Sequence, residues 1–247
     1  MKKNILIIWL FGLFSSSFAQ NFTLQKCHSH NDYLHKIPFF DAYNLGFGSI
    51  EVDVFLVNNQ LLVAHEKSAI DSVKTFENLY LKPILAEIEK NKGKLKQPLQ
   101  LLVDLKTGEN TLQVFQNQLI KYKSIFKKAK VSIVISGEMP SPTEFEMYDE
   151  MLSFDGRITN IYSKKQLNRI ALFSHNFQEL VKWNGKKQLD DDQTEKVENF
   201  INAIHKKNKK LRFWATPDTP TSWTTLMNLK LDYVGTDNLK GLAKFLE

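Results

Sequence analysis

The chain has 247 residues, 43% hydrophobic and 24% charged, with 10 Gly, 7 Pro and a single Cys. That composition excludes a disordered, collagenous or disulfide-stapled chain, and the Cys/His spacings of a structural zinc site are missing. The formal net charge of +6 is mild, and the basic run Lys206 to Lys210 carries no interleaved aromatics and closes a helix-period segment that starts at three Asp, which argues against a nucleic-acid partner.

In chain order, Lys2 and Lys3 precede the apolar run Ile5 to Phe14 and then Ser15, Ser16, Ser17, Phe18 and Ala19, the order of a cleavable signal peptide. The run is about half of the roughly 20 residues that a spanning helix needs. Residues 1–19 are therefore expected to be removed, leaving one exported domain over 20–247, periplasmic or secreted. Cys27 follows Gln25 and Lys26 rather than the small residues of a lipobox. No Pro/Gly/Ser-rich linker divides the remainder, and roughly 200–250 residues is a common length for one closed α/β barrel.

Short β-rich runs then alternate with helix-period segments. The first strand is expected at Leu24 to Cys27, where the lone thiol reads as a small buried hydrophobe. It leads into His28-Ser29-His30-Asn31-Asp32-Tyr33. Gly46 and Gly48 mark the turn into a second strand, Ser49 to Val54, which carries Glu51 and Asp53. Two positions apart in a strand, these side chains share one face. Two carboxylates about 4 Å apart repel by roughly 4 kcal/mol at an effective dielectric near 20, and burying them unpaired costs more. Positive charge must therefore sit among them, unless the strand is a solvated edge: a bound cation, or a Lys or Arg. His65 follows, past a strand end on the same side as His28. His30 is an alternative to His28, and His35 reads as loop surface.

A helix is expected over Ser72 to Lys90. The next strand, Leu99 to Leu105, repeats the anomaly: Asp104 and, just beyond it, Lys106 share a face of an apolar run near its C-terminal end. They read either as site residues or as a structural ion pair. In a barrel the C-terminal strand ends carry the active site. Three carboxylates there offer the hard oxygen ligands that one divalent cation, Mg²⁺ or Ca²⁺, prefers, and Lys106 is then available for an anionic substrate. Further strands are expected at Lys130 to Ser136, Met151 to Phe154, Ile170 to Ser174, Leu211 to Ala215 and Asp232 to Gly235, with helices over Glu109 to Lys128 and Asp191 to Lys207. Eight strands with crossover helices make the expected fold α/β, a single (β/α)8 TIM barrel.

The set His28, Glu51-x-Asp53, His65, Asp104-x-Lys106 resembles the phospholipase C-like phosphodiesterases: glycerophosphodiester phosphodiesterases, sphingomyelinase D-type enzymes and the fungal family named for altered inheritance of mitochondria protein six. The third is the nearest in pattern, through His28 to Tyr33, Pro38 to Asp41, Arg212-Phe213-Trp214-Ala215-Thr216-Pro217-Asp218 and Gly235-Thr236-Asp237-Asn238-Leu239. The resemblance implies a barrel in which Glu51, Asp53 and Asp104 hold one metal ion, His28 and His65 act as general acid and base, and Lys106 contacts phosphate. It also implies that Trp214 shapes the pocket rim and Asn31 supports the first histidine. Glycerophosphodiesterases place Arg-Gly after the first histidine and Glu at the third ligand, where this chain has Ser29-His30 and Asp104.

The expected function is an exported metal-dependent phosphodiesterase acting on a small-molecule or lipid diester, as a monomer, through direct hydrolysis or a cyclic phosphate, with peripheral membrane contact left open. The rival readings are a non-catalytic barrel that binds anionic head groups or glycans, and a barrel metallohydrolase of phosphomonoesters or carbohydrates.

Overall fold

The computed structural model describes residues 22–247; the expected signal peptide lies outside the described residues. Among the described residues nine strands form one sheet: β1 (Cys27–Ser29), β2 (Ser49–Val57), β3 (Gln60–Val63), β4 (Leu99–Leu105), β5 (Val131–Gly137), β6 (Leu152–Gly156), β7 (Ile170–Asn176), β8 (Lys210–Trp214) and β9 (Val234–Thr236). Eight are mutually parallel in the order β8-β7-β6-β5-β4-β2-β1-β9. The ends of that order meet in a parallel bridge between Arg212 and Tyr233, which brings the sheet close to full closure. This is a (β/α)8 TIM barrel.

The first strand starts three residues later than the sequence suggests, because Leu24–Lys26 winds into a single 3-10 turn. Cys27 is nonetheless fully buried. The antiparallel β3 was not foreseen. Asn58 and Asn59 both adopt positive φ, 49° and 62°, which gives the two-residue turn whose twist suits a hairpin, and β3 folds back on β2.

The helices are α1 (Phe40–Leu45), α2 (Lys82–Lys90), α3 (Glu109–Leu119), α4 (Lys123–Ala129), α5 (Lys164–Arg169), α6 (Phe177–Leu180), α7 (Asp191–His205), α8 (Pro220–Asn228) and α9 (Leu239–Leu246). The segment expected as one helix from Ser72 turns helical only at Glu77, since Thr75 still bridges Leu62. The segment from Glu109 is broken into α3 and α4 by a 3-10 turn at Ile120–Tyr122. At α7, Asp190 caps the helix reciprocally with Gln193, as the acidic start and basic end of that run suggest. Among the described residues no helix is long and apolar enough to cross a membrane.

Burial separates into two compartments. The larger apolar cluster runs through the sheet and its helices. A small one, Leu102, Val134, Leu172 and Tyr233, is distinct from it. Leu102 stands opposite Glu51 and Val134 opposite Leu102 in register, so these four plug the lumen beneath the polar residues that follow on the same strand faces.

Candidate active site

The polar layer begins with β2 and β4. Their register places Asp53 directly opposite Asp104, and alternation puts Glu51 on the same face as Asp53. Oxygens of Glu51, Asp53 and Asp104 all lie within 4.8 Å of one another. Glu51 and Asp53 are almost completely buried. Beside them, Gly137 ends β5 at φ 72°, and a Cβ there would collide with Asp104 Oδ1 and the backbone of Leu105. Glycine at that strand end leaves the carboxylate its room.

Two basic side chains sit among the acids. Lys106 Nζ lies 2.9 Å from Asp53 Oδ2 and 3.2 Å from Asp104 Oδ1. Arg212, on β8 across the lumen, pairs through one nitrogen with Glu51 Oε2. That nitrogen also lies 2.6 Å from His28 Nε2, while Arg212 Nε donates to Ser174 Oγ at 3.1 Å. The ion pairs weighed as alternatives from sequence are thus both present. Burial acts to raise the Glu51 pKa, but Arg212 and His28 outweigh it and hold the carboxyl below its ordinary value. Asp104 goes the other way: burial pushes it up to about 6 in spite of Lys106.

The acids still have capacity to spare. Asp53 Oδ1 is buried without a hydrogen-bond partner, in a fold where such orphans are uncommon. A free buried carboxylate oxygen beside two more carboxylates is a hard, all-oxygen donor set, and it fits a divalent cation.

Three histidines face this end of the barrel in different ways. His28 is 1% exposed, and both its ring nitrogens are engaged: Nδ1 is 2.8 Å from Ser49 Oγ and Nε2 is 2.7 Å from Glu51 Oε2. Burial, reinforced by Arg212, lowers its pKa to about 4. His65 follows β3 and is half-exposed, with Nδ1 3.1 Å from Asp53 Oδ2. His30 stands on the loop after β1, with Nδ1 2.9 Å from Asp237 Oδ1.

That loop is held from beneath. Asp32 is completely buried and accepts from Ser29 Oγ, the Phe39 backbone N–H and Tyr80 Oη. Asn31 takes the left-handed region at φ 47°, which asparagine tolerates better than most residues. Its amide nitrogen lies 3.2 Å from His30 Nδ1, so it sits against His30 and not His28. Its oxygen lies 2.9 Å from Tyr33 Oη, which is also 2.8 Å from Asp53 Oδ2 and 3.2 Å from His65 Nδ1. Trp214, at the end of β8 and 42% exposed, lines a cleft with His28, His30 and Arg212.

The structure therefore gathers His28, Asn31, Glu51, Asp53, His65, Asp104, Lys106 and Trp214 at the C-terminal mouth. Sequence reasoning gave no role to Arg212 or Tyr33. Arg212 carried a signal: a lone guanidinium between Leu211 and Phe213 in an apolar strand is the same anomaly as Glu51.

The family model for the AIM6-like phosphodiesterase domain matches residues 16–132, and that for the glycerophosphoryl diester phosphodiesterase family matches residues 210–240. The chain resembles the AIM6-like phosphodiesterases. The first match contains the three acids, the three histidines and Lys106; the second contains Arg212 and Trp214. Among relatives, Altered inheritance of mitochondria protein 6 of Eremothecium gossypii is 26% identical, over 90% of this chain and 69% of its own length. A homologue from Arthroderma benhamiae is 29% identical, over 81% and 76%, and the Kluyveromyces lactis protein is 24% identical, over 96% and 77%.

Proposed function

We propose that this chain is a divalent-cation-dependent phosphodiesterase that cleaves a glycerophosphodiester or phospholipid-like diester by imidazole acid–base catalysis. The observation that carries the reading is the convergence of Glu51, Asp53 and Asp104 within 4.8 Å at the barrel mouth, beside the half-exposed imidazole of His65 and the partly exposed ammonium of Lys106. An anionic diester must have its charge neutralised, its attacking oxygen activated and its leaving oxygen protonated.

Glu51, Asp53 and Asp104 would hold Mg²⁺ or Ca²⁺, whose chemistry is neutralisation of charge on the phosphoryl oxygens. Lys106, one-quarter exposed, contributes a second positive charge at the same face. His65 projects into solvent with Nδ1 anchored on Asp53, so Nε2 is free to take a proton from the attacking oxygen, whether of water or of a neighbouring hydroxyl on the substrate. Each imidazole so used contributes roughly 10²–10⁴-fold. His28 has no free ring nitrogen, and its bonds to Ser49 and Glu51 orient the acid shell.

Apolar side chains favour a lipid-like substrate. Leu34, Ile37 and Ile161 are exposed on loops that follow the parallel strands β1 and β6, the side on which the site opens, and exposed Lys36 flanks Ile37. Such a rim suits shallow contact with an anionic lipid surface. Export, through the run at 5–19, belongs to the same reading, as does a monomeric state.

Phosphorus NMR tests the proposal. The purified chain is incubated with glycerophosphocholine, lysophosphatidylcholine and sphingomyelin, with Mg²⁺ or Ca²⁺ and with EDTA. A new monoester or cyclic phosphate signal that EDTA removes supports the reading. Binding of a diester with no new signal at saturating cation would instead make the chain a non-catalytic binding module.

A further inference from the structure

We propose that Asp155 is a positioning residue for the cation site: it receives the Arg212 guanidinium when a divalent cation takes Glu51. The inference rests on the cation-dependent reading and adds a second home for the guanidinium that shares Glu51 with the metal. Among the described residues two carboxylate oxygens are buried without a hydrogen-bond partner, Asp53 Oδ1 and Asp155 Oδ1. The first belongs to the three acids that fit a cation. The second lies outside that group: Asp155 is on β6, completely buried, and its Oδ2 accepts from Ser136 Oγ at 2.8 Å. Ser136 is the register partner of Asp104, so Asp155 stands one strand beyond the acids on the lumen side. A buried carboxylate oxygen with no partner is costly, and native folds keep few of them.

Arg212 is the cation within reach of it. Around the barrel, β8 is two strands from Asp155 by way of β7, and three from Glu51 by way of β9 and β1. The side chain already spans the longer of these paths to pair with Glu51 Oε2. Ser174, to which Arg212 Nε donates at 3.1 Å, stands on the intervening β7. It is two positions beyond Leu172, the register partner of Asp155, and so shares the lumen face. Burial raises the Asp155 pKa, and among charged groups Arg212 opposes that rise most strongly, ahead of Arg157.

One guanidinium thus stands between two buried carboxylates and is bonded to one of them. A divalent cation on Glu51 repels a guanidinium held on the same carboxylate, and burial screens that repulsion poorly. Moving to Asp155 Oδ1 keeps the guanidinium paired, fills the orphaned acceptor and leaves Glu51 to the metal. Without the Asp155 charge, the displaced guanidinium has no second buried carboxylate to meet, and cation binding works against that penalty.

A double-mutant cycle in cation affinity tests this. Mn²⁺ binding to the purified chain is measured by isothermal titration calorimetry for wild type, Asp155→Asn, Arg212→Met and the double variant. Asp155→Asn keeps an acceptor for Ser136 and removes the charge. It should weaken Mn²⁺ binding about tenfold, within the range of coupled neighbours, while the Tm without cation holds or rises. In the Arg212→Met background the same substitution should change the affinity by less than about twofold. Equal weakening in both backgrounds is the loss of a distant negative charge and overturns the proposal. Unchanged affinity in Asp155→Asn overturns it as well, and a lower Tm alongside would make the residue structural. Should Arg212→Met fail to fold, wild-type crystals soaked in Mn²⁺ decide: an Arg212 nitrogen within hydrogen-bond distance of Asp155 Oδ1 is expected, and Arg212 still on Glu51 beside a bound Mn²⁺ overturns the proposal. A wild-type chain that binds no Mn²⁺ sinks the cation-dependent reading itself.

Discussion

Arg212 and Glu51 form a buried ion pair across the lumen of the barrel, each less than a tenth exposed. Removing one member of such a pair strands the other's charge and typically costs about 3–5 kcal/mol. Arg212→Met is expected to lose stability on that scale in urea unfolding of the cation-free protein. Adding Glu51→Gln should return a large part of the loss, because no charge is then left unpaired. A double-mutant cycle in which the two costs simply add would mean that the pair has no coupling.

Lys106 stands where its charge offsets Asp53 and Asp104. Lys106→Met should therefore destabilise the cation-free chain, while saturating Mg²⁺ or Ca²⁺ should raise the Tm of the variant more than that of wild type. Thermal unfolding with and without cation decides it. An equal cation effect in both proteins would mean that Lys106 and the cation do not answer the same carboxylates.

Two groups at the site impose opposite pH slopes on the cation-free protein. His28, lowered to about 4 from 6.5, stays neutral in the folded state while the unfolded chain takes up its proton, so stability falls as pH drops from about 6.5 to 4. Asp104, raised to about 6 from 3.8, keeps its proton in the folded state, so stability falls as pH rises from about 4 to 6. At about 1.4 kcal/mol per unit, each amounts to the order of 3 kcal/mol, and in wild type they largely cancel. Asp104→Asn should then lose stability toward pH 4, and His28→Gln should lose it toward pH 6. Urea midpoints across that range are the check; parallel curves for the two variants would contradict the assignments.

Cys27 is completely buried, and that burial pushes its thiol up to about 12. A thiol so held is not a nucleophile at neutral pH. Ellman's reagent should leave the native protein unlabelled and titrate one thiol in denaturant. Rapid labelling of the native chain would return Cys27 to the list of reactive groups.

Much of this was legible in sequence because charge in an apolar strand is expensive. Glu51, Asp53 and Asp104 stood out for that reason, and the demand for positive charge among them is met by Lys106 and Arg212. The eight parallel strands were legible through their near-continuous apolar runs, while β3 hid behind an Asn-Asn turn that lacks the usual glycine. The roles of the three histidines were not legible, since they depend on which ring nitrogens remain free. That is set by residues far away in the chain, Asp237 for His30 and Arg212 for His28. Tyr33 was hidden likewise, because only the folded loop brings its hydroxyl between Asp53 and His65.

Anomalous diffraction from crystals soaked in Mn²⁺ tests the cation site most directly. The expected result is one strong peak enclosed by carboxylate oxygens of Glu51, Asp53 and Asp104, lost in Asp104→Asn crystals soaked identically. A fully soaked crystal with no peak at those acids, or with the same peak in the variant, would contradict it.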